Sequence, residues 1–115
     1  MDTLHAGRSG ITAAELRRTD TKFRMMHICD GPAGQNGDPV LDDTHDPLML
    51  HTAREARYHV GQGDLDVAGL VGAIPRVPLS VEQPNLKELA GRGPLEHTRM
   101  CLETAKAYFA AHNVD

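Results

Sequence analysis

Between residues 22 and 29 the chain passes from charge into a nearly continuous apolar run. Lys22-Phe23-Arg24 gives way to Met25-Met26-His27-Ile28-Cys29. A run of this kind, without polar alternation, predicts a strand buried on both faces, and such a strand needs cover on both sides. Val77-Pro78-Leu79-Ser80-Val81-Glu82 reads as a second short strand ending in a carboxylate. Helix signals fill the intervals. Thr12 and Glu15 form a Thr-x-x-Glu capping box that opens a helix over 11–18. Asp46-Pro47 starts another that runs to Arg57. Val67, Leu70, Val71 and Ile74 lie at offsets 0, 3, 4 and 7, and Pro75 stops that stripe. Pro94 opens the longest helix, 94–112, along which Leu95, Thr98, Leu102, Ala105 and Phe109 recur at helical spacing. Strands alternating with helices imply right-handed β-α-β units and a parallel sheet. So few strands do not close on themselves, so the chain reads as part of an α/β fold.

The 115 residues suffice for one small domain. Twelve Lys+Arg against sixteen Asp+Glu give a formal net charge of −4, which argues against a nucleic-acid partner. Aromatic residues make up 3% and Trp is absent, so the core falls to Leu, Val, Ile, Ala and Met. No apolar stretch approaches the roughly 20 residues of a membrane span. Met1-Asp2-Thr3-Leu4-His5 lacks the basic-then-apolar order of a secretory leader. Cys29 and Cys101 form no C-x-x-C and read as reduced thiols of a cytoplasmic protein with no membrane partner.

In parallel α/β folds ligands bind at the carboxyl ends of strands. His27 lies late in the first predicted strand and Glu82 ends the second. Asp2, with His5 three residues on, precedes the breaker-rich Gly7-Arg8-Ser9-Gly10. Asp, His and Glu together suit a hard or borderline divalent ion, Mn²⁺, Mg²⁺, Co²⁺ or Zn²⁺. Taken singly, each residue also fits a plain role in core, rim or terminus.

Taken in order, these segments resemble the xylose-isomerase-like TIM barrels, the sugar or sugar-phosphate isomerase/epimerase group. Asp2-Thr3-Leu4-His5 is similar to the signature of that family's fifth strand, and Met26-His27-Ile28-Cys29-Asp30-Gly31-Pro32 to the end of its sixth. Gly61-Gln62-Gly63-Asp64-Leu65-Asp66 resembles its Gly-x-Gly loop, Ser80-Val81-Glu82 the end of its eighth strand, and Gly93-Pro94-Leu95-Glu96 the start of its closing helix. The resemblance implies that residues 1–115 are a partial barrel domain, the C-terminal half of a (β/α)₈ barrel with strands 5 to 8. The seventh strand would fall weakly around His51–Val60, where the capping signals favour helix.

The same resemblance implies Asp2, His27 and Glu82 as ligands of a divalent metal ion, Glu82 also as the catalytic base, and His5 and Arg57 as holders of substrate hydroxyls. A metal-bound carbonyl and hydroxyl would stabilise an enediolate while the carboxylate moves the proton on the neighbouring carbon. The family's second carboxylate belongs to its fourth strand, which this chain lacks. A complete barrel needs roughly 250 residues. The chain alone is therefore expected to be a truncated, inactive piece of an enzyme, or an interaction module, with an exposed half-barrel edge open to a second copy. Two further motifs have quieter readings. Gly61-x-Gly63 is a substrate-contacting turn or a plain turn, with no third glycine behind it. Asp43-x-His45 resembles a metal motif of the apurinic endonuclease branch, or is a solvated acidic loop.

Overall fold

A computed structural model describes residues 1–32 and 46–114. Within them the order is α1 (Thr3–Arg8), α2 (Ala13–Arg18), β1 (Met26–Ile28), α3 (Asp46–Glu55), α4 (Val67–Gly72), β2 (Leu79–Val81), α5 (Leu86–Arg92) and α6 (Pro94–Ala111). β1 and β2 pair in parallel, Met26 beside Leu79, His27 beside Ser80 and Ile28 beside Val81. The apolar run does form a strand, but a shorter one than 22–29. Met26 and Ile28 are buried, whereas the His27 side chain between them keeps 38% of its surface. One face of β1 is thus covered and the other is open.

The half-barrel is not formed. Among the described residues the sheet has two strands, not the four that strands 5 to 8 of a barrel require. The cause at the first expected strand is local. Asp2 makes one parallel bridge to His27, and its side chain then accepts from the Leu4 N–H, capping α1. The chain turns helical after a single sheet residue. The Thr3 hydroxyl takes over the pairing, donating to the Cys29 carbonyl at 2.8 Å and accepting from the Cys29 N–H at 3.0 Å. In the region of the expected seventh strand, α3 persists to Glu55, and among the described residues isolated antiparallel bridges follow it, Ala56 with Asn85 and Tyr58 with Asp30.

The helices pack where their apolar stripes dictate. Leu4 of α1, Met26 and Ile28 of β1, Val67 and Val71 of α4, and Ala105 and Phe109 of α6 share one core. Ala6, Leu16 and Leu70 join α1, α2 and α4 in a second, smaller cluster. The Thr12–Glu15 capping box forms as the sequence predicts. Helix α5 is an addition: Asn85, in a segment that reads as a break, is its N-cap and accepts from the Glu88 N–H. The Asp43-x-His45 motif lies outside the described residues. Among the described residues no helix is long and apolar enough to cross a membrane.

Asp30, buried just beyond β1, organises the loop between α3 and α4. Its Oδ1 accepts from the N–H groups of Gly31 and Leu65 at 2.8 and 3.1 Å, and its Oδ2 from Gly61 at 3.0 Å. Gly61 has φ +88°, and a Cβ on Gly63 would stand 2.3 Å from Asp30 Oδ1. The Gly-x-Gly segment therefore wraps a carboxylate of its own chain, which is the plain-turn reading. Hydrogen bonds to a charged group contribute about 1.5–3 kcal/mol each, and orphaned buried donors add a penalty. Asp30→Ala should lower the unfolding free energy by about 3 kcal/mol or more in urea titrations. Gly63→Ala should also destabilise, because its Cβ forces the carboxylate off its donors.

Candidate functional site

The parallel register sends both strand ends the same way, and titratable side chains gather there. Glu82 extends the ladder by one bond, its N–H donating to the Ile28 carbonyl at 3.0 Å. Its carboxylate Oε2 lies 2.8 Å from His27 Nδ1. Asp2 lies on the other side of β1, where the His27 N–H donates to the Met1 carbonyl at 2.8 Å. Asp2 Oδ1 is held by the Leu4 N–H at 2.8 Å.

Arg57 connects the two carboxylates. It arrives from the segment after α3, where its own N–H donates to the Pro84 carbonyl and its carbonyl accepts from Asn85 Nδ2. The guanidinium Nε donates to the Ala53 carbonyl at 2.8 Å. Nη1 donates to Asp2 Oδ2 at 2.8 Å and to Glu82 Oε2 at 3.2 Å. Only 6% of the Arg57 side chain is exposed, against 17% for Asp2 and 42% for Glu82. His5, on α1, sits at the rim with Nε2 3.7 Å from Asp2 Oδ2. The structure thus brings Asp2, His5, His27, Arg57 and Glu82 into one connected cluster. With both imidazoles neutral its formal charge is −1, two carboxylates against one guanidinium.

The environment tunes these groups. Burial works against the Asp2 carboxylate, but the hydrogen bond and charge of Arg57, the charge of His5 and the Leu4 N–H outweigh it and hold its pKa below the usual value. Burial likewise opposes the Arg57 charge, yet Asp2 and Cys29 leave that charge more firmly held than usual. Burial pushes the Cys29 thiol up to about 11, so it is protonated at neutral pH. Only its contact with Arg57 Nη1, at 3.6 Å, brings it to the cluster.

Asp2, His27 and Glu82 have the donor chemistry for a divalent ion. The point between the two carboxylates, however, holds Arg57 Nη1. Among the described residues no group of three or more His, Cys, Asp or Glu side chains is arranged to hold an ion. A dication and a guanidinium repel one another at such range, so the set as arranged does not fit a metal.

A second polar group lies under α5 and α6, and nothing in the motifs of the sequence marks it. Gln83 Nε2 donates to His59 Nδ1 at 2.8 Å, and His97 Nε2 lies 3.2 Å from the Gln83 carbonyl. All three residues are buried. Burial holds His59 below its ordinary pKa. The signal available beforehand is that His97 shares the inner stripe of α6 with Cys101 and Ala105, at offsets of four.

Compared with known proteins, the chain matches no family model, no curated protein and no solved structure.

The lowered Asp2 pKa fixes a sign. A carboxyl whose pKa is depressed by folding contributes stability above its unfolded value and loses it as pH falls through the folded value. The difference in unfolding free energy between the wild-type chain and Asp2→Asn should therefore be constant near neutrality and shrink as pH drops below the ordinary 3.8. Urea unfolding at a series of pH values measures it.

Proposed function

We propose that the strand-end cluster is a proton-transfer site for a small hydroxylated carbonyl compound, of the sugar or sugar-phosphate class, and that it carries out the proton abstraction with which sugar isomerases and epimerases begin. The observation that carries this reading is the His27–Glu82 pair, 2.8 Å apart and partly open to solvent, with His27 in the middle of β1 and Glu82 just past the end of β2. Glu82 Oε2 already accepts from Arg57 and faces His27 Nδ1. Its place is to fix the imidazole with the proton on Nδ1, which leaves Nε2 as the acceptor. Glu82 thus acts with His27, rather than as the lone base.

The reaction step follows from that tautomer. His27 Nε2 takes the proton from the carbon beside the substrate carbonyl. The electron pair moves into the carbonyl, giving an enediolate, and His27 becomes an imidazolium stabilised by the Glu82 carboxylate. Return of the proton from His27 completes the cycle. His5, at the rim, is placed to donate to a substrate hydroxyl or to the enediolate oxygen. Arg57 positions both carboxylates and has its Nη1 committed to them, so it orients the site rather than gripping substrate.

One base serves one face of the substrate carbon. The cluster supports exchange of that proton with solvent, whereas inversion needs a second group on the opposite face. Incubating the chain with ketoses and aldoses in D₂O should therefore give deuterium incorporation beside the carbonyl, read by NMR, without net epimerisation. General base catalysis contributes on the order of 10²–10⁴-fold, so His27→Gln should lower the exchange rate by a factor in that range. Glu82→Gln should lower it as well. Exchange indifferent to both substitutions would refute the proposal.

A second reading has one observation in its favour. Leu95 is 75% exposed, and Leu86 and Leu102 keep about half of their surface. These side chains on α5 and α6 suit an inactive chain that serves as an interaction module.

A further inference from the structure

We infer that the Arg57 guanidinium is the built-in cation of this site: it stands where a divalent ion would have to sit, and it keeps such an ion out. Three observations support this. Nη1 lies within hydrogen-bond distance of one oxygen on each carboxylate, 2.8 Å from Asp2 and 3.2 Å from Glu82. The guanidinium is enclosed and anchored by Nε on the Ala53 carbonyl, so it cannot swing aside without leaving that acceptor. Both Asp2 oxygens already have donors, Leu4 on Oδ1 and Arg57 on Oδ2, and the inward Glu82 Oε2 is shared by Arg57 and His27.

Metal and guanidinium therefore compete for one place. An ion entering the cluster must displace a buried positive charge and leave it without its carboxylates, which is costly in a poorly solvated setting. Removing the guanidinium reverses the situation. It leaves two carboxylates facing one another beside an imidazole, a donor set that a divalent ion neutralises. The inference uses the same cluster as the proposed proton transfer but not its chemistry. Loss of deuterium exchange would leave it standing, and metal binding by the wild-type chain would leave the exchange standing.

The test is Mn²⁺ titration of the full chain, followed through paramagnetic broadening of the His27 ring signals, with Zn²⁺ calorimetry alongside. Wild-type chain and Arg57→Lys, which keeps a cation in place, should show no saturable broadening of His27. Arg57→Gln should gain a single Mn²⁺ site, tighter than any in wild type by roughly tenfold or more, and Glu82→Gln added to it should remove that site. Saturable broadening of His27 in the wild-type chain would overturn the inference, as would failure of a folded Arg57→Gln variant to bind. Should Arg57→Gln fail to fold, the wild-type titration decides alone: saturation overturns the inference and its absence upholds it.

Discussion

One guanidinium holds the polar cluster beside the two strands together. Arg57 lies 55 residues from Asp2 and 25 from Glu82, and its Nη1 touches both carboxylates. Asp2 is the cap of α1 and the sheet neighbour of β1, and Glu82 is the continuation of β2. The contact therefore ties a helix start, two strand ends and the segment after α3 into one body. A two-stranded sheet has little stability of its own. Two carboxylates flanking it, Asp2 beside β1 and Glu82 past the end of β2, would also repel one another without a cation between them. Removing one member of such a buried pair typically costs about 3–5 kcal/mol, because the partner charge is left enclosed.

Asp30 does for the loop what Arg57 does for the strand ends. It gathers three N–H donors from three places in the chain, and its backbone pairs with Tyr58. That pairing fixes Tyr58, the residue after Arg57 in the chain, so the geometry of the loop and that of the cluster are joined. The Gly-x-Gly segment, which in other settings offers its N–H groups to a ligand, here turns Gly61 and Leu65 toward an internal carboxylate. The open side of β1, where His27 and Glu82 meet, is left without such a wrap.

The parts legible in the sequence are those set by local pattern. The capping box at Thr12, the helix from Asp46, the 67–74 stripe and the helix from Pro94 depend on neighbours within a few residues; each gives a helix, though α3 stops at Glu55 short of Arg57 and α4 at Gly72 short of Ile74. Asp2-Thr3-Leu4-His5 reads as strand, yet an aspartate beside a bridging residue is equally an N-cap, and the cap prevails once Thr3 bonds Cys29 through its side chain. Asn85 has the same ambiguity. It reads as a breaker after Pro84, while Asn-x-x-Glu at 85–88 is also a helix start. His27 and Glu82 are legible as site candidates because they follow strand patterns, and Asp2 with His5 because they precede a breaker-rich stretch, whereas Arg57 enters only through the resemblance. The Arg57 contacts are not legible, because no short-range pattern encodes a partner 55 residues away. A half-barrel follows from motif order alone, and motif order does not fix strand length: Asp2, Ala56 and Tyr58 each supply one isolated bridge where a strand is expected.

The claim that Arg57 couples these elements is tested most directly by a double-mutant cycle. Unfolding free energies of the wild-type chain, Asp2→Asn, Arg57→Met and the double variant, from urea titrations at neutral pH, isolate the pairwise energy. Groups in direct contact within a charged network couple by about 0.5–3 kcal/mol, and independent sites add to within about 0.5 kcal/mol. The account predicts a favourable coupling of about 1–3 kcal/mol, with the second substitution costing little once the first is made. Additive single effects would contradict it, and would reduce the Arg57 contact to a coincidence of position.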